Sequence, residues 1–219
     1  MRYVLKFYKE GTIRYISHLD LLRLFKRSFK RTGIKLEHSK GYNPHPKMSF
    51  AQPLSLGYSS KSEYLEFETI ETYDGQEIKE KLNAILPPGL GVLECKIMDS
   101  GKKSLAALIK SADYEIQIPW KNPIDISKII EEYMTQDHIY VDKLNRKTGK
   151  IKEVEIKSMI KEMKGEAHDN EIILTARLSA GSMSNLSPEM LLSSFCQYAG
   201  IPYDRADINI TRLEIHFNG

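Results

Sequence analysis

The chain has few of the residues that mark the common site chemistries. Two cysteines, Cys95 and Cys196, stand in 219 residues with no C-x-x-C partner. That excludes a disulfide framework and leaves two buried thiols as the simplest reading. No apolar run approaches the ~18–20 residues needed to cross a bilayer, and the opening MRYVLKFYKEG has no secretory h-region or small-residue cleavage site. A reducing cytoplasm is therefore the expected location, with no membrane partner. No Walker loop, G-x-G-x-x-G, G-x-S-x-G or H-E-x-x-H occurs. The histidines at 18, 38 and 45 have no H-x-x-x-H spacing, so neither a metal site nor a cofactor is expected.

What the chain has is an uneven charge. Its net charge is only +3, yet residues 1–50 carry twelve Lys/Arg against three acids, a net +9, which leaves −6 for the remainder. A basic end of this kind suits an acidic partner. The alternative is a solvated basic helix balanced in space by the acidic remainder.

The hydrophobic pattern predicts an α+β protein. Residues 2–8 alternate as a strand. Ser17 is placed as the N-cap of a helix running to about Thr32, with Gly33 as its stop. Strands are expected at 34–38, 63–70 and 92–98, and a helix at 75–86 that ends before Pro87-Pro88-Gly89. The order strand, helix, strand, strand, helix, strand is the ferredoxin-like βαββαβ unit. The second half repeats it: strands at 113–119, 139–144, 151–155, 171–178 and 209–217, with helices at 126–134 and 188–199. The expected architecture is two tandem ferredoxin-like units with antiparallel sheets, as domains 1–110 and 111–219.

Two stretches concentrate chemistry. In ISHLDLLRLFKRSFKR, His18 opens a basic amphipathic helix whose polar side carries Arg23, Arg27, Lys30 and Arg31. In SKGYNPHPKMSFA, two prolines stiffen a loop that presents Lys40, Tyr42, Asn43, His45 and Lys47. Cations of that kind bind phosphate, amide and imidazole groups set register, and an exposed tyrosine stacks on bases. The alternative for the loop is a rigid structural cover with His45 bonded to backbone. His18, at a helix N-terminus, suits either a general base or a capping and packing residue. The stretch Lys143–Lys152 reads as a basic hairpin tip, solvated or extending a nucleic-acid footprint, and the small-residue loop Ser179–Leu186 as an ordinary connection or one that presents the N–H groups of the Ser187 helix start to an anion.

RYISHLDLLRLFKRSFKRTG and SKGYNPHPKMSFAQPL, with Gly57 and Glu63-Tyr64 after them, resemble a bacterial domain family of unknown function called radical-SAM-associated or radical-SAM-linked. The likeness spans essentially the whole chain. It implies a radical SAM protein as partner, since members stand alone or are fused behind a cobalamin-binding radical SAM protein. It also implies RNA, through gene neighbourhoods with a ribonuclease and ribosomal proteins. The C-x-x-x-C-x-x-C of a radical SAM enzyme is absent here. The doubled βαββαβ order is similar, more distantly, to tandem ferredoxin-like proteins that process CRISPR repeat RNA. The leading expectation is an accessory module that binds structured RNA for a radical SAM enzyme acting on ribosomal or transfer RNA. A metal-independent endoribonuclease using His18 or His45, and a protein–protein adaptor for the radical SAM partner, are the alternatives.

Overall fold

The computed structural model describes residues 1–99, 101, 103–144 and 149–218. The fold is mixed α/β, with antiparallel strand pairings and helices packed on them. The chain forms two compact units, 1–109 with 214–219, and 110–213.

In the first unit, β1 (Arg2–Lys9) alternates as its sequence does: Tyr3, Leu5 and Phe7 are fully buried, and the residues between them are only half covered. It pairs antiparallel with β3 (Ser59–Glu68), Leu5 opposite Leu65, and with β4 (Leu90–Ile97), Leu5 opposite Cys95. A short strand β2 (Met48–Phe50) takes the other edge of β3, with Phe50 opposite Leu65. The order is thus β4-β1-β3-β2. Helices α1 (His18–Thr32) and α2 (Gly75–Asn83) lay Leu21, Phe25, Phe29, Ile78 and Leu82 on one face of this sheet. Rings bind the layers together: Phe7 meets Phe25 edge-on at 5.0 Å, and Phe29 lies 4.7 Å from Phe67. Replacing so buried a ring as Phe25 by alanine costs about 3–5 kcal/mol.

The ends of α1 follow their residues. Ser17 Oγ accepts the Asp20 amide at 3.1 Å, and Gly33 closes the helix at φ 76°, a conformation L side chains rarely adopt. Ahead of α1, Gly11–Tyr15 form a 3₁₀ turn. One expectation fails here. The strand expected at 34–38 is reduced to two isolated bridges, Leu36 to Thr69 and His38 to Pro46. The edge of β3 is taken instead by β2, where Phe50 offers a larger apolar side chain to the core.

In the second unit the strands order as β10-β5-β9-β8. These are β5 (Ile109–Pro119), β8 (Ile160–Ala167), β9 (Glu171–Ser179) and β10 (Asn209–Phe217), whose last residues belong to the first unit. Helices α4 (Ile126–Thr135) and α5 (Pro188–Ala199) follow β5 and β9, and α3 (Leu105–Leu108) is a single turn before β5. Strands β6 (Tyr140–Leu144) and β7 (Ile151–Glu155) form a hairpin of their own. Its expected turn, 145–148, lies outside the described residues. The addition is β8, a strand that the sequence reading did not assign. Only Ile160 and Met163 of this strand are buried, so its alternation is faint. Gly165 leaves no room for a side chain, because Ile130 and Leu174 close over it. Among the described residues no helix is long and apolar enough to cross a membrane.

Candidate nucleic-acid interface

Helix α1 is amphipathic to a degree that decides its role. Leu21, Phe25, Ser28 and Phe29 are buried, while Arg23, Arg27, Lys30 and Arg31 stand exposed and Lys26 is half covered. Arg23, Arg27 and Arg31 are four residues apart, so they line one row with about 6 Å of rise between neighbours. Lys26 and Lys30 make a second row beside it. Arg23 is engaged by Asp20 at 2.8 Å. Hydrogen bonds from Ser17 and then Arg23 hold the Asp20 carboxyl below its ordinary range. Among the described residues, Lys26, Arg27, Lys30, Arg31 and Lys40 make no ion pair within 4 Å, so their charge is offered to solvent or to a ligand.

The second motif forms a stiff hairpin. The Ser39 amide donates to His45 O at 2.8 Å, the His45 amide donates to Ser39 Oγ at 3.1 Å, and the Lys47 amide donates to Glu37 O at 2.8 Å. No peptide bond among the described residues is cis, Pro44 and Pro46 included, and Gly41 takes a φ of 141° at the tip. Lys40, Tyr42, Asn43 and His45 are all exposed. The Tyr42 ring projects fully from the loop. Lys47 is different: its ammonium lies 2.7 Å from Glu68 and 3.5 Å from Glu37, and the Glu68 hydrogen bond raises its pKa. That lysine anchors the base of the hairpin and has little charge left for phosphate.

Two grooves flank α1. One, lined by Asp20, Arg23, Arg27, Arg31 and Pro87, runs along the arginine row. The other, about 710 Å³, has a floor of Ile34, Leu36, Pro46 and Ile70 and a rim of Lys26, Arg27, Lys30 and Lys35. His38 and Pro46, the pair that bridges at the base of the hairpin, both line this second groove. The loop tip therefore rises from the edge of a basic, apolar-floored groove. Lys26, His38 and Ile70 escaped the sequence reading as site residues. The signal for Lys26 was its place four residues before Lys30. Nothing local marks Ile70, which is a groove residue only because the chain folds back beside Lys35.

His18 belongs elsewhere. Its ring stands edge-on to Phe50 at 5.1 Å, in a tight recess with Lys9, Leu21, Pro53 and Glu63. His45 is exposed in the hairpin, one residue before Pro46, which lines the second groove. The helix rises about 22 Å from His18 to Gly33, and no described recess is lined by both histidines. Among the described residues no group of three His, Cys, Asp or Glu is placed to hold a metal ion.

One further polar cluster escaped the sequence. Glu214 accepts hydrogen bonds from Lys6 at 2.6 Å, Tyr64 at 3.1 Å, its neighbour Ile215's amide and the buried Ser62 hydroxyl. Burial works to raise its carboxyl, but these donors bring it below the ordinary value. It pins the C-terminal residues to the first unit, and the 208-residue separation from Lys6 hid it.

This combination defines a small α/β protein with a basic helix, a rigid aromatic-tipped hairpin and two open grooves. A family model described as an uncharacterized protein conserved in bacteria (DUF2344) matches residues 2–188, and the chain belongs to that family. No curated protein matches the sequence significantly. Among solved structures, a chain in a crystal structure of a Cbf5–Nop10–Gar1 complex is similar over 97% of this chain, at 12% identity and a TM-score of 0.55. This chain spans 48% of that one, about half its length, and the likeness is one of fold. A crystal structure of an unknown protein from Galdieria sulphuraria aligns over 96% of both chains at 11% identity, with a TM-score of 0.29 that supports no comparison of fold.

Proposed function

We propose that this protein is an accessory RNA-binding module that serves a radical SAM enzyme in the bacterial cytoplasm. The observation that carries the RNA reading is the row of unpaired cations on α1 beside the hairpin that holds up Tyr42. Arg27, Lys30, Arg31 and Lys40, with Lys26, bind phosphate oxygens, and Arg23 joins them when Asp20 releases it. Tyr42 stacks on a base, Asn43 and His45 set register, and Lys47 holds the hairpin to Glu68. The radical SAM partner rests on the sequence resemblance. The orders β4-β1-β3-β2 and β10-β5-β9-β8 support reading 1–110 and 111–219 as two ferredoxin-like domains.

His18 packs against Phe50, and no described recess is lined by both His18 and His45, so no described geometry favours an endoribonuclease using His18 or His45 over the binding reading. The test is fluorescence anisotropy with cellular RNA fractions at two salt concentrations, for wild type and Arg27→Glu. Five free cations set the expected fall at roughly 3.5 log units of affinity per log unit of salt on a single strand. Binding that is salt-insensitive, or equal in the variant, overturns the reading.

A further inference from the structure

The groove between α1 and the base of the hairpin differs from the arginine row in its chemistry. Its floor is aliphatic: Ile34 and Leu36 are buried, but Ile70 is 64% exposed and has nothing over it. Its rim is cationic, through Lys26, Arg27 and Lys30. Its volume, about 710 Å³, is that of a small-ligand pocket. At one wall the His38 Nδ1 lies 3.1 Å from Leu36 O. A carbonyl oxygen only accepts, so in that bond Nδ1 carries the proton, and Nε2 of the neutral ring is an acceptor. Over the same wall stands the hairpin, with Tyr42 fully exposed.

A polyanion satisfies the rim, but a continuous duplex has no group to fill the floor. Its bases are stacked and paired, and the deep, narrow major groove of A-form RNA keeps its base edges from side chains. An unpaired nucleotide has a flat, apolar face to lay on Ile70 and a phosphate for each flanking cation.

We propose that this groove seats an unpaired nucleobase of a single-stranded RNA segment, with Tyr42 stacking on a neighbouring base and His38 accepting a hydrogen bond from the seated base. The inference rests on the RNA-binding reading and narrows it to a single-stranded segment, a loop or an end of a larger RNA. His38 is the specificity residue. As an acceptor it favours bases that present an amino group, adenine, cytosine and guanine, over uracil, which has none.

The test uses the full chain and fluorescein-labelled twelve-nucleotide RNAs: an A/C-rich single strand, a U-only single strand, and the A/C-rich strand in duplex with its complement. Wild type is compared with Ile70→Trp, which plugs the groove from a solvent-facing position, Tyr42→Ala, His38→Phe and Arg27→Glu. Thermal melts confirm that each variant folds. The expected result is at least tenfold tighter binding of the A/C strand than of the duplex. Ile70→Trp and Tyr42→Ala each weaken the A/C strand roughly 5- to 100-fold, the range for one lost base stack, and leave the duplex unchanged. His38→Phe removes the preference for the A/C strand over the U strand. If strand and duplex bind alike, and both fall together in Arg27→Glu alone, RNA binding stands and the groove inference is overturned. If none of the RNAs binds while an oligoglutamate peptide does and Ile70→Trp blocks it, the RNA reading fails and the groove is a protein-docking site.

Discussion

The imidazole of His18 stands edge-on to the ring of Phe50, 5.1 Å between centroids, and joins the helix of the first motif to the strand of the second. The contact lies at the N-terminal end of α1, where the exposed imidazole stands against Phe50, a ring that also meets Phe7 and Phe25. The role expected of His18 is packing. His18→Ala is expected to cost about 1 kcal/mol, the scale of one edge-on aromatic pair, and to leave RNA affinity unchanged. Phe50→Ala removes a buried ring and costs about 3–5 kcal/mol. Chemical denaturation and anisotropy on the same two variants check both statements. An RNA affinity lost in a well-folded His18→Ala contradicts them.

The cations of α1 divide into engaged and free, and the salt slope reads the difference. Arg27→Ala and Lys30→Ala are each expected to lower the slope by about 0.7, one phosphate contact on a single strand. Lys47→Met is expected to leave the slope unchanged, because its ammonium is held by Glu68 and Glu37. A slope change in Lys47→Met comparable to that in Arg27→Ala places phosphate on the wrong cations.

Glu214 predicts an acid-sensitive stability. Its carboxyl titrates below its ordinary value of 4.5 in the folded protein. The stability it contributes is therefore present above about pH 4.5 and is lost as pH falls through the lower folded value. Lys6, its partner, titrates above 10.5, and its contribution persists until strongly alkaline pH. Glu214→Gln is expected to cost about 1–2 kcal/mol at pH 7, given the partial solvent screening of the pair. The gap between wild type and variant should narrow from pH 5 to pH 3 and stay level from pH 6 to pH 9. Denaturation midpoints across that range check it, and a gap that widens in acid contradicts it.

Gly75 sets how closely α2 approaches β4. A Cβ at that position would lie 2.2 Å from the backbone oxygen of Cys95, which cannot turn away as a side chain would. Gly75→Ala is expected to cost about 1–3 kcal/mol, as overpacking does. Thermal melts of the Gly75 variant give the measurement.

The sequence made most of the first unit legible because its signals are local. Alternation exposed β1 and β3, Ser17 and Gly33 bounded α1, and the 3.6-residue period separated Phe25 and Phe29 from Arg27 and Arg31. What it hid was decided by distant partners. Met48–Phe50 pair with Leu65–Phe67 on β3 while Leu36 only bridges Thr69, partners that no window of residues 34–38 contains. β8 was hidden because its inner face includes Gly165, a position emptied by α4 packing. Of the candidate site, the basic helix and the hairpin were visible as motifs. That Lys47 is anchored, that His18 meets Phe50, and that Ile70 floors a groove follow from pairings across 21 residues and more.

The most direct measurement is photocrosslinking of a single-stranded RNA carrying 4-thiouridine to the full chain, with the attachment sites read by mass spectrometry. The account predicts crosslinks within 18–47 and at Ile70, centred on Tyr42, and their loss in Arg27→Glu. Crosslinks that fall outside these segments, or that persist unchanged in Arg27→Glu, would contradict it.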